Sequence, residues 1–179
     1  WYLLPKHPDV ARPLLAELDE VLGGRLPHVE GLRALEYTGM VLKESLRLYP
    51  PIWIISRQAI AEDEIGGYRV PAGTLVLLSQ YAMHRHPGFW ENPEGFDPER
   101  FAPARSERRH RYAYFPFGGG PRLCIGADFA MMEAKLILTM VAQRYRLELV
   151  PGHPVEPEPL VTLRPRHGLL MTLRPRDGL

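Results

Sequence analysis

The sequence predicts a mainly helical chain with small β-sheets, an α+β fold. Two observations carry that prediction: three amphipathic runs with apolar residues at helical spacing, and short strand-like stretches fenced by glycine and proline turns. At 179 residues the chain has the length of one ordinary domain with its own core.

Each element follows from local pattern. From Pro8 to Leu22, residues Val10, Leu14, Leu15, Leu18, Val21 and Leu22 share one face, Pro8 suits a first helical turn, and Gly23-Gly24 ends the run. A second helix is expected from about Leu32 to Leu48, with Leu35, Val41, Leu42 and Leu46 on its apolar side and Pro50-Pro51 as its stop. Strands are expected at residues 53–59, 67–70 and 74–78, parted by turns at Gly66-Gly67 and Pro71-Ala72-Gly73. Residues 87–123 hold no sustained period, and so long an irregular stretch in a compact domain points to function. After Gly126 a third helix is expected to about Tyr145, burying Phe129, Met132, Leu136, Met140 and Val141. In the tail, Leu160–Leu163 and Leu169–Leu173 are expected to pair as a hairpin around Pro165-Arg166-His167-Gly168.

Composition narrows the classes. Apolar residues at 45% and charged residues at 24% argue against a disordered or membrane-embedded chain. A net charge of +1 gives no reason to expect nucleic acid. The longest apolar runs fall far short of the ~18 residues of a membrane span. A single cysteine excludes an intrachain disulfide, so that thiol is either buried packing or chemistry. The chain begins at Trp1 inside an uncapped apolar run, and is therefore expected to be a fragment of a longer protein, residues 1–179 forming a single partial domain.

The most informative segment is Phe117-Gly118-Gly119-Gly120-Pro121-Arg122-Leu123-Cys124-Ile125-Gly126. It sets a thiol after a glycine turn and just before a predicted helix. The free N–H groups and positive end of that helix, with the Arg122 guanidinium, favour anionic sulfur, and the glycines let backbone approach a flat ligand. Glu44 and Arg47, three residues apart, face each other on the second helix.

These residues resemble the cytochrome P450 family. The pattern F-x-x-G-x-R-x-C-x-G is that family's haem-binding signature, with Phe117, Gly118, Gly120, Arg122, Cys124 and Gly126 inside the matching segment. Glu44 and Arg47 match its E-x-x-R, and Pro98-Glu99-Arg100-Phe101 resembles its P-E-R-F element. The resemblance covers essentially the whole chain and implies the C-terminal, haem-binding portion of the cytochrome P450 fold. It implies that Cys124 is the catalytic thiolate and iron ligand, that haem b is the cofactor, and that Arg57 and Arg122 pair with haem propionates. Glu44, Arg47 and Arg100 would form a structural cluster holding the cysteine loop. Trp53, Ile54 and Ile55, with a hairpin turn around Leu163 to Leu169, would line an apolar substrate pocket.

The activity so implied is a monooxygenase using O2 and an apolar small-molecule substrate, with a ferredoxin or flavin reductase docked on the cysteine-loop face. Arg105, Arg108, Arg109, His110 and Arg111, with Lys135, would attract such an acidic partner, although a solvated loop is the plainer reading of that run. The fragment alone is expected to be inactive, because the family's central helix with its acid-alcohol pair would precede Trp1. A cytoplasmic location is expected, with an upstream membrane anchor left open.

Other chemistries fit less well. A gas-binding or peroxide-using haem-thiolate protein is the main alternative. A cysteine hydrolase lacks a flanking histidine, and the residues after Cys124 lack the arginine of a C-x5-R phosphatase loop. The triple glycine lacks the Lys-Ser/Thr of a phosphate cradle. His84 and His86 have no carboxylate or cysteine companions at ligand spacing and are read as structural.

Overall fold

In the computed structural model, residues 1–176 are described. A short 3-10 turn at Leu4–Lys6 leads into α1 (Pro8–Leu22), whose buried residues Val10, Leu14, Leu18 and Leu22 recur every four positions. Gly23 ends α1 in the left-handed conformation that glycine adopts without strain. The extent matches the sequence expectation.

The expected second helix is two. α2 (Val29–Ala34) and α3 (Glu36–Leu48) part at Leu35, whose ψ of 74° is not helical. The restart is capped from a distance: the Glu17 carboxylate of α1 accepts the N–H groups of Tyr37 and Thr38 at 2.6 and 2.8 Å and the Thr38 hydroxyl at 2.7 Å. No local periodicity reports a cap that comes from α1, two helices back. The buried face of α3 carries Thr38, Gly39, Val41 and Leu48, together with the charged Glu44 and Arg47.

Two antiparallel ribbons follow. β1 (Ile55–Gln58) is separated in sequence from its partner by β2 (Asp63–Ile65) and β3 (Tyr68–Val70), which pair with each other across the Gly66-Gly67 turn. β4 (Leu75–Leu78) then pairs with β1, setting Arg57 opposite Val76. β2 escapes a sequence reading because its three residues are all exposed and two are acidic. α4 (Gln80–Met83), capped by the Ser79 hydroxyl, and α5 (Pro103–Ser106) are single turns inside an otherwise irregular stretch.

α6 (Ala127–Arg144) has the expected length but a different buried face. Leu138, Thr139, Ala142 and Gln143 are buried, whereas Phe129 and Met132, expected in the core, are exposed. The second half of α6 joins the core with α1 and α3, through Leu138 and Ala142.

The tail also departs from expectation. β5 (Tyr145–Leu149) pairs with β8 (Met171–Pro175), while β6 (Pro157–Pro159) pairs with β7 (Leu163–Pro165). Leu160–Val161–Thr162 is therefore a turn, and the second expected strand, shifted to 171–175, joins β5 instead. The β6–β7 ribbon is stitched to the chain after α3 by Leu163 N–H donating to Pro51 O at 2.8 Å. The main core joins α1, α2, α3 and α6, and a second cluster of Trp90, Phe101 and Ala113 lies under the irregular stretch with Met40 and Tyr114. Among the described residues no helix is long and apolar enough to cross a membrane.

Candidate functional site

Glu44 and Arg47 project from the buried face of α3 and are fully buried. Arg47 Nε donates to Glu44 Oε2 and Arg47 Nη2 to Glu44 Oε1, both at 2.8 Å, a bidentate fork. The remaining donors of the guanidinium are used as well: Nη1 reaches the carbonyls of His84 and Pro93 at 2.9 and 2.6 Å, and Nη2 that of Gly95 at 2.8 Å. Arg100, from the 3-10 turn Pro98–Phe101, adds Nε to Glu44 Oε1 at 3.3 Å and donates to the carbonyls of Glu91 and Asn92. The Asp97 N–H also donates to Glu44 Oε1, at 3.0 Å. Two buried guanidiniums thus satisfy one carboxylate and use their spare donors to hold residues 84–97, a stretch without its own ladder of backbone bonds.

Within the arginine-rich run Arg105, Arg108, His110 and Arg111 are exposed, and Arg109 is the exception. Arg109 is half-buried, lies 4.2 Å from the Trp90 ring centroid and donates to Arg100 O at 2.6 Å. Burial pulls its guanidinium below the usual value, opposed first by Glu44. Arg105 pairs with Asp97 at 2.9 Å, and Lys135 turns inward to donate to Leu32 O at 2.9 Å. Arg108 is exposed and has no hydrogen-bonded or ionic partner among the described residues. Sequence composition treats these cations alike; packing separates them.

The cysteine loop returns on itself before α6. Gly118 and Gly120 take φ of 76° and 65°, conformations that side chains with a Cβ resist. The Gly118 N–H donates to Phe115 O at 2.9 Å and the Cys124 N–H to Phe117 O at 3.0 Å, so backbone bonds close the loop and leave the thiol outside it. Cys124 is exposed and free. Gly126 caps α6 next to the sulfur: a Cβ built there would lie 3.9 Å from Sγ. Among the described residues no histidine hydrogen-bonds Cys124, and no group of three or more metal-ligating side chains is present.

Arg122 and Arg57 are both exposed, one in this loop and one on β1, and neither forms an ion pair among the described residues. They share no hydrogen bond with Cys124; Arg57 Nη1 donates to Ser56 O at 2.7 Å. Trp53, Ile54 and Ile55 are half-buried, and the Trp53 indole donates to Leu160 O at 2.8 Å. The stretch from Pro51 to Trp53 is bonded to the tail at Leu160 and at Leu163, the first residue of the turn expected beside the ligand.

The residues present suit the flat macrocycle that the resemblance implies. A single exposed thiol is a soft donor for iron. Leu123, Ile125 and Phe129 around it are exposed apolar side chains, Ile125 completely so. Two exposed arginines without carboxylate partners match propionates in charge. His84 is the residue whose importance sequence reasoning misses. It is fully buried, burial lowers its pKa to about 4, and its Nε2 accepts the Phe115 N–H at 2.9 Å. Its only sequence signal is a histidine close to Pro87 at the edge of a stretch without period.

Comparison with known proteins identifies the family. The family model described as Cytochrome P450 matches residues 1–172. Cyclooctatin synthase of Streptomyces melanosporofaciens is 44% identical over 163 residues, 91% of this chain and 36% of that protein. Cyclooctat-9-en-7-ol 5-monooxygenase of the same organism is 48% identical over 152 residues, 85% of this chain and 33% of that protein. The crystal structure of the cytochrome P450DA heme domain superposes with a TM-score of 0.93 at 34% identity, covering 98% of this chain and 39% of that one. The chain thus spans about a third of the length of the curated relatives it matches. With a model match over nearly every residue and relatives above 40% identity, the chain belongs to the cytochrome P450 family.

Proposed function

We propose that the intact protein is a haem-dependent monooxygenase that inserts one oxygen atom from O2 into an apolar organic substrate, with the Cys124 thiolate as the proximal iron ligand. Family membership implies a haem, and haem b is the form we propose. The observation that carries the reading is the exposed thiol held at the rim of a loop closed by the Phe117–Cys124 backbone bond, directly before α6. A bound haem supplies the oxygen-activating and one-electron chemistry.

The roles of the chain's own residues follow. Cys124 would offer anionic sulfur to the iron. Arg122 and Arg57 neutralise propionates. Leu123, Ile125 and Phe129 cover apolar ring surface. Trp53, Ile54 and Ile55 exclude water and hold an apolar substrate, with Trp53 fixed by its bond to Leu160. Glu44, Arg47 and Arg100 hold the loop rather than touch the reacting atoms. A one-electron donor, a ferredoxin or flavin reductase, docks on the cysteine-loop face, with Arg108 the unpaired cation available to it. Two relatives named as a synthase and a 5-monooxygenase support oxygenase chemistry.

The test is the reduced, carbon-monoxide-bound spectrum of the haem-loaded intact protein and of Cys124→Ala. A strongly red-shifted Soret band that disappears in the variant is expected. Its persistence in the variant removes Cys124 from the iron.

A further inference from the structure

One buried ring joins the anchoring cluster to the thiol loop. His84 follows α4 as its C-cap, and its own carbonyl accepts Arg47 Nη1 at 2.9 Å, so its backbone belongs to the Glu44 cluster. Its side chain serves the other partner: Nε2 accepts the Phe115 N–H at 2.9 Å. Phe115 opens the run into Cys124, since its carbonyl accepts the Gly118 N–H and the carbonyl of Phe117 accepts that of Cys124. The Tyr114 and Phe115 rings clasp the imidazole at centroid distances of 5.2 and 5.4 Å.

Packing alone does not account for a histidine here. Nδ1 is buried against the Leu46 and Arg47 backbone without a well-aligned hydrogen bond, an expense that a phenylalanine filling the same space would not incur. What histidine adds is an acceptor. Imidazole accepts through a ring nitrogen only while neutral, and burial keeps His84 neutral far below pH 7. The Phe115 N–H lies in a segment with no strand partner, so His84 is the acceptor it has.

The geometry points to His84 as a positioning residue: its Nε2 fixes Phe115, and through the Phe115–Gly118 and Phe117–Cys124 bonds the seat of the sulfur, against the Glu44–Arg47–Arg100 anchor. This rests on the reading of Cys124 as the iron ligand. Its effect is on where the thiolate sits, not on the reaction directly.

The pair His84→Gln and His84→Asn tests it in the intact, haem-loaded protein. Glutamine carries an acceptor oxygen about as far from the backbone as Nε2, whereas asparagine reaches only as far as Nδ1. Two quantities are read: the share of the ferrous carbon-monoxide complex absorbing at the red-shifted thiolate position, and amide hydrogen exchange in peptides covering residues 113–118. Gln should stay close to the unsubstituted protein in both. Asn should exchange roughly tenfold faster at Phe115, as expected for a lost local bond, and lose about half or more of the thiolate band. An Asn variant matching the unsubstituted protein in both readouts overturns the proposal. So does equal damage in Gln and Asn, which would make the ring a packing element only. Cys124→Ala separates the two readings: if it keeps the red-shifted band the ligand assignment falls, while the exchange pattern of the Gln and Asn variants still judges the His84–Phe115 bond.

Discussion

Arg47 grips Glu44 through two parallel bonds of 2.8 Å with both side chains wholly out of solvent. Removing Glu44 leaves two buried guanidiniums without their carboxylate, and removing Arg47 leaves Glu44 with Arg100 alone at 3.3 Å and strips three carbonyls of their donor. Glu44→Ala or Arg47→Ala should therefore destabilise the fold by about 3–5 kcal/mol. Arg47→Lys should also lose most of that, since an ammonium cannot form the planar fork and reach three carbonyls as well. Denaturant midpoints of the intact protein check this; a lysine variant with unchanged midpoint would show that charge alone suffices.

Glu17 caps α3 across the interface with α1. Glu17→Ala strands the Tyr37 and Thr38 N–H groups and should cost about 1–2 kcal/mol. Glu17→Gln, which keeps an acceptor oxygen, should cost less. Hydrogen exchange at residues 37 and 38 reads the effect directly, and equal exchange in all three proteins would disprove the cap.

His84 should make stability depend on pH. Its pKa is lowered to about 4 by burial, so the folded protein keeps the ring neutral where the unfolded chain, near 6.5, takes up a proton. Above about pH 6.5 both states are neutral and the contribution is constant. As pH falls from there to about 4, protonation favours the unfolded state by about 3 kcal/mol in all, and the loss levels off below. His84→Gln should flatten the stability curve in that window. A variant with the same slope as the parent would assign the loss to other groups.

Among the arginines of the 105–111 run, only Arg108 is exposed without a partner among the described residues. Arg108→Glu should slow reduction by an acidic electron donor roughly fivefold to tenfold at low salt, with the difference fading at high salt. Stability should be unchanged. Arg109→Glu should instead unfold the region around Trp90, where its guanidinium is stacked. An identical reduction rate for Arg108→Glu at low ionic strength would end the docking idea.

What the sequence reveals, and what it hides, divides along contact range. The cysteine loop is contiguous, so Phe117 to Gly126 can be read as one pattern, and the i, i+3 spacing of Glu44 and Arg47 alone places them on one helical face. Arg100 is reachable only because P-E-R-F is itself a short pattern. The break at Leu35 is not legible, because the cap that stabilises it comes from Glu17. The pairing of β5 with β8 is hidden for the same reason: a strand following α6 without a turn residue reads as the helix's continuation. The buried face of α6 differs from the expected one because periodicity marks an apolar side without saying which part of it this chain covers. His84 can be read from sequence only as a structural histidine, since acceptance of one backbone N–H has no sequence pattern that would name its partner.

The clamp of β5 on β8 fixes residues 145–149 and 171–175 in register, while the ribbon between them reaches back to Trp53 and Pro51. The span from 150 to 170 is thereby a bracketed insert, closed at its base by a ladder that does not involve the thiol loop. Sequence drift within the bracket can alter length, bulk or polarity at the 160–162 turn without displacing α6. The segment that meets Trp53 and the segment that carries the sulfur are thus tied to the core by different backbone bonds, so a change of length at the 160–162 turn should leave the loop bonds of Phe115 and Phe117 in place.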